Sequence, residues 1–143
     1  MLAFAALSPH PLISVPELGK ASTAKLRRTR AAFHELALEL HAAKPDKVVI
    51  ISPHASVLSA AFTVNQRPVL RLDLSEFGDI TDAHTFKNDI GFGYKIKEAT
   101  ETNTPVILTD DEVLDYGSAV PLFHLSHYLK QQPWTVLLLG TGT

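Results

Sequence analysis

The sequence predicts an α/β fold, a mostly parallel central sheet with helices on both faces. Three observations lead there. Short apolar runs bounded by turn residues, among them Leu2 to Leu7 and Val48 to Ile51, have the length of strands rather than helices. Stretches with apolar residues at helical spacing lie between such runs. Strand and helix patterns alternate along the chain, the order that a parallel sheet with helical crossovers requires. At 143 residues, with 45% apolar and 20% charged side chains, the chain has the size and balance of one globular domain, covering 1–143.

The run Leu2 to Leu7 is stopped by Ser8-Pro9 and reads as a buried strand, followed by "SVPELG" as a loop. From Ser22 or Thr23, either of which can cap, apolar residues at Leu26, Phe33, Leu36, Ala37 and Leu40 mark one face of a helix ending near Ala43. "KVVIIS" is β-branched and apolar without alternation, the pattern of a strand covered on both faces. "AAFTV" and "VLRLDL" are further strands around Asn65-Gln66-Arg67-Pro68. Asp82 to Thr102 reads as a helix weakened by Gly91 and Gly93. "PVILT" is a short buried strand, Ser118 caps a helix running to about Lys130 with Pro121 in its first turn, and "WTVLLLG" is the last strand.

Composition excludes several classes of function. Net charge is −2 and the basic residues are scattered, apart from Lys25, Arg27, Arg28 and Arg30 on one helix, so nucleic acid is not an expected partner. With no cysteine there is no disulfide, zinc–thiolate site or cysteine nucleophile, and any metal must bind through His, Asp or Glu. The longest apolar run is far short of the ~20 residues of a membrane helix, and no signal-peptide pattern opens the chain, which makes the cytoplasm the expected location.

The tripeptide Ser-Pro-His occurs twice, each time behind an apolar run: Ser8-Pro9-His10 and Ser52-Pro53-His54. In a parallel sheet both histidines would sit at the carboxyl ends of strands, where α/β proteins build sites. Two imidazoles held there suit a divalent metal such as iron, zinc or manganese; Ser-Pro is also a common strand stop, and either histidine alone could be a surface residue. His34 and His41, about 10 Å apart on the first helix, are too far apart to share a metal. His84 begins a helix, and His124 and His127 at i, i+3 fit packing beside Phe123 and Tyr128 better than metal binding. Asp115-Tyr116-Gly117 lies in a loop on the same edge as the two tripeptides, and Tyr116 there could donate to a substrate oxygen. Asp79, Asp110 and Asp115 are open alternatives for a third metal ligand.

Three segments in order, "SPHPLISVPELG", "KPDKVVIISPHAS" and "LDYGSAVPLFHL", resemble the catalytic-subunit superfamily of class III extradiol ring-cleavage dioxygenases, the LigB-like proteins, whose fold the Memo-like proteins share. The resemblance spans nearly the whole chain and about the N-terminal half of a typical member. It implies that His10 and His54 are the two histidine ligands of a non-haem Fe(II), with other divalent metals as alternatives. In the family a glutamate from the C-terminal half completes the triad and a histidine of that half moves protons; neither region is among these residues. Where ring-cleaving members often have Asp-His-Gly, this chain has Asp115-Tyr116-Gly117. A phenol, with an ordinary pKa near 10, mostly donates a hydrogen bond, so the resemblance leaves Tyr116 a substrate-positioning role.

The function implied is oxygen-dependent cleavage of a small aromatic diol beside its two hydroxyls, the iron bringing the diol and dioxygen together. The alternative is a non-catalytic Memo-like or LigB-like binding domain, or a remnant without ring-cleavage activity. A third, plainer reading is an α/β domain in which neither histidine meets a metal. If the last strand has an open apolar edge, self-association through residues 134–140 or burial by a rearranged segment is expected.

Overall fold

The computed structural model describes residues 1–19, 24–56, 58–79, 83–126 and 135–141. Helix α1 (Arg27–Ala43) is followed by strands β1 (Lys47–Ser52), β2 (Phe62–Asn65), β3 (Val69–Leu72) and β4 (His84–Lys87). Helix α2 (Ile90–Thr100), strand β5 (Val106–Thr109), helix α3 (Tyr116–Ser126) and strand β6 (Thr135–Gly140) complete the order. The main sheet runs β1-β6-β2-β5, with β1–β6 and β2–β5 parallel and β2–β6 antiparallel; β3 and β4 form a separate antiparallel ribbon. The α/β class and the mostly parallel sheet are as the sequence predicts.

Register explains the layers. Val136 and Leu138 of β6 join the main core with Ala37 and Leu40 of α1 and Val120 and Leu122 of α3. The alternating residue Leu137 faces α2, where a Cβ at Gly93 would come within 2.9 Å of Val64 and 3.1 Å of Leu137. Gly93 therefore lets α2 lie close on the sheet, and this offsets its poor helix propensity. Helices thus cover both faces.

Several expectations are corrected. Leu2 to Leu7 forms no strand; Leu2 is 83% and Leu7 100% exposed. Three of its six residues are alanines, which have low β propensity and little area to bury. β1 is covered on one face only: Val48 and Ile50 pack on the core, while Val49 is 41% and Ile51 63% exposed at the edge of the sheet. The stretch 84–87, read as helix, is strand β4, with Phe86 buried against the core and Thr85 and Lys87 outward. His84 accordingly lies in a strand. α2 begins only at Ile90, where the Asp89 carboxylate accepts from the Phe92 N–H and caps it.

α3 starts two residues before Ser118, so Tyr116 opens the helix rather than sitting in a loop, and the Asp115 carboxylate accepts the Ser118 N–H. β6 is interior, paired on both sides, with Val136, Leu137 and Leu138 buried; over the described part of 134–140, Thr135–Gly140, the expected open edge is not there, and the sheet's outer strands are β1 and β5. The proposed caps Ser22 and Thr23, and also Asp82, His127, Tyr128, the end of the last helix and Trp134, lie outside the described residues. Among the described residues no helix is long and apolar enough to cross a membrane.

Candidate metal centre and adjoining cleft

The two Ser-Pro-His tripeptides meet. His54 follows β1, and His10 arrives from the N-terminal segment, 44 positions away in sequence, with its Nε2 3.0 Å from Nε2 of His54. The rings cross edge to face at 70° with centroids 4.9 Å apart. Two imidazole nitrogens bound at right angles to one first-row metal, each at about 2.1 Å, stand about 3 Å apart. The pair therefore has the spacing and donor type of a metal cradle. The same spacing suits an N–H···N hydrogen bond with one ring donating, which satisfies both groups without an ion.

Tyr116 stacks on His54, centroids 4.4 Å apart and planes tilted 30°. Its Oη is 3.2 Å from both His54 ring nitrogens, the geometry of a hydroxyl lying over a ring rather than aimed at one lone pair. The phenol can therefore turn to a ligand oxygen without uncoupling His54 from His10. Phe77 approaches Tyr116 edge-on at 6.2 Å.

Beneath these rings lies a clamp that the sequence reading missed. The buried Ser52 Oγ donates to Asp115 Oδ1 at 2.6 Å and accepts the His54 backbone N–H at 3.1 Å. Asp115 also accepts from the Ser118 N–H at 3.1 Å and, through Oδ2, from the Ser118 hydroxyl at 2.8 Å. One carboxylate thus ties the turn carrying His54 to the start of α3 carrying Tyr116. Gly117 fits between them: a Cβ there would lie 2.7 Å from Ser52 Oγ and 2.9 Å from both Asp115 Oδ1 and His54 Cδ2. The signal available in sequence was an aspartate three residues before a serine at a helix start, a capping spacing.

Of the alternatives for a third ligand, Asp115 is committed to this clamp. Asp110 pairs with Arg67 at 3.2 Å, and Asp79 is buried, 4% exposed. Among the described residues no group of three His, Cys, Asp or Glu comes together that could hold a metal ion. His10 and His54 therefore stand as a pair. His124 is in the core, as packing beside Phe123 predicts: it stacks on Phe33 at 4.1 Å, and its Nε2 is 3.0 Å from Ser14 Oγ. His34 and His41 are exposed on α1.

Beside His54 opens a cleft of about 550 Å³. Ala55, Leu114 and Leu138 give it an apolar floor, and Asp73, Glu76, Asp111 and Asp115 line its walls. Ser56 Oγ holds Asp111 at 2.6 Å. Hydrogen bonds from the Ser75 side chain and backbone hold the Asp73 carboxyl below its ordinary value; burial opposes this, and Arg71 adds a smaller lowering.

Comparison with known proteins gives a family and a loose set of structural neighbours. The family described as the catalytic LigB subunit of aromatic ring-opening dioxygenase matches residues 4–139. Protein CA_C1420 of Clostridium acetobutylicum is 25% identical over 138 residues, covering 87% of this chain and 29% of that protein. The chain thus spans less than a third of that relative's length. Pyrrolidone carboxyl peptidase from Thermococcus litoralis aligns with a TM-score of 0.45 at 10% identity, over 82% of this chain and 56% of that one. The Thermus thermophilus enzyme of the same name aligns at 0.43 and 16% identity, over 79% and 62%.

Proposed function

The chain belongs to the family of the catalytic LigB subunit of aromatic ring-opening dioxygenase, and on that premise we propose that it binds Fe(II) through His10 and His54 and serves oxygen-dependent opening of a catechol-type ring. The observation that carries this reading is the 3.0 Å approach of the two Nε2 atoms from tripeptides far apart in sequence.

When bound, Fe(II) would supply a centre at which diol oxygens and dioxygen are brought together. The protein's part is orientation. Ser52 and Asp115 fix the turn that aims His54, and Gly117 leaves room for its ring. Tyr116 donates its phenolic hydrogen to a diol oxygen and holds the ring over the apolar floor of the cleft. A third protein ligand and a proton-transfer group belong, by family resemblance, to a region outside these 143 residues.

The test loads the chain with Fe(II) under nitrogen, measures retained iron, then adds catechol and air. Expected are about one iron per chain, its loss in His10→Ala and in His54→Ala, and a yellow ring-opened product. A wild-type chain that retains no iron overturns the reading. Retained iron without product favours the second reading, a non-catalytic LigB-like or Memo-like binding domain, which is supported by Tyr116 standing where ring-cleaving relatives often carry histidine.

A further inference from the structure

The cleft beside His54 is one-sided in charge. Four carboxylates, Asp73, Glu76, Asp111 and Asp115, line it, and among the described residues no lysine or arginine does. Arg71 supplies a counter-charge: its Nη1 is 2.5 Å from Asp73 and its Nε 3.5 Å from Glu112. It offsets one of the four charges. Glu76 is exposed at the rim, and Asp111 is held in place by Ser56.

Resting on the function proposed above, we infer that this cleft takes an aromatic diol whose ring is neutral or carries an amine, and rejects one that carries a carboxylate. A ring seated on Ala55, Leu114 and Leu138 with its hydroxyls toward His54 directs its other substituents at these walls. Three net negative charges of the lining at roughly 8 Å, in a medium between protein and water, act on a ligand carboxylate with the same sign, while the charge of bound Fe(II) would be offset by the ionised hydroxyls of the diol itself. At about 20 mM ionic strength this disfavours the anion by about tenfold, and at about 0.5 M by only two- to threefold. An amine gains where the carboxylate loses. Asp73, held ionised to lower pH by Ser75, keeps its charge across the neutral range.

The experiment is anaerobic calorimetric titration of the Fe(II)-loaded chain with 4-methylcatechol, 3,4-dihydroxybenzoate and 3,4-dihydroxyphenethylamine, at low and high salt. Expected is the affinity order amine, then neutral, then carboxylate. The neutral-to-carboxylate ratio should be about tenfold at low salt, shrinking as salt rises, and should narrow two- to threefold in Glu76→Gln and further in Glu76→Gln/Asp111→Asn. Neutral and carboxylated diols bound equally, or a ratio indifferent to salt and to both variants, overturns the inference and leaves the proposed function standing. Binding of none of the three removes that function, and this inference with it.

Discussion

Replacing Asp115 by alanine tests the clamp most directly. The substitution removes the acceptor of three hydrogen bonds, from Ser52 Oγ, Ser118 N and Ser118 Oγ. Loss of a side-chain cap at a helix start costs about 1 kcal/mol. Ser52 is 1% and Ser118 0% exposed, so each hydroxyl loses its partner out of reach of bulk water, at about 1 kcal/mol or more apiece. Together these give about 3 kcal/mol, which for a domain of this size lowers Tm by roughly 10 °C. Asp115→Asn keeps an acceptor oxygen and should lose about half as much. The assay is thermal unfolding followed by circular dichroism, paired with Fe(II) titration, because release of Ser52 also frees the turn that aims His54. Asp115→Ala within about 1 kcal/mol of wild type in stability, with unchanged Fe(II) affinity, would refute the clamp.

Gly117→Ala forces a methyl group within 3 Å of Ser52, Asp115 and His54, and should cost about 1–3 kcal/mol while shifting the His54 ring resonances; unchanged resonances would show that the neighbours yield freely. Asp73 has a folded pKa below its ordinary 3.8, so its contribution to stability is present above that value and is lost as pH falls through the lower folded value. Ser75→Ala should raise the Asp73 titration midpoint, read by carboxyl NMR, so that the contribution is smaller and its loss is complete at a higher pH; an unmoved midpoint contradicts the assignment. Association between copies is expected at β1, where Val49 and Ile51 are exposed, rather than at β6. Sedimentation of wild type against Ile51→Lys should show the variant less associated, and a monomer at every concentration for both removes the expectation.

Much of the fold was legible because local pattern and tertiary context agree. α1, β1, β2, β3, β5 and β6 fall where apolar spacing places them. Misreadings arose where context decided. "HTFK" has the alternation of a strand, but it runs directly into a helical stretch, and the boundary between them is marked only by Asp89, a cap two residues before Gly91. "KVVIIS" looks buried on both faces because apolar content cannot report that a strand lies at an edge. The histidine pair was legible from a repeated tripeptide. Its supports were legible only in part: Asp115 and Ser118 have a local capping spacing, but Ser52 joins them, and His54 meets Gly117, only through long-range packing of β1 against α3. A glycine that must be small for a neighbour's ring looks, in sequence, like any other.

How His10 is aimed changes most between sequence and structure, since the strand expected to aim it does not form. The restraint comes from downstream instead. Leu12–Ser14 forms a 3-10 turn in which the Ser14 N–H bonds Pro11 O at 2.8 Å, and Ser14 and Val15 are both fully buried. Ser14 Oγ meets His124 Nε2 at 3.0 Å, and His124 is stacked on Phe33, so α1 and α3 together grip the chain four residues after His10. Upstream, Leu2 and Leu7 lie in water and only Phe4 packs against the core. Deleting residues 1–3 should therefore leave Fe(II) affinity within about twofold. Ser14→Ala, which removes a buried hydrogen bond worth about 1 kcal/mol, should loosen the His10–His54 pair and weaken metal binding severalfold. Contacts between the two imidazoles, followed by NMR nuclear Overhauser effects, separate this loosening from a global loss of fold. The opposite result, binding abolished by the deletion and untouched by Ser14→Ala, would place the restraint on the N-terminal segment and return it to the strand role that its sequence first suggested.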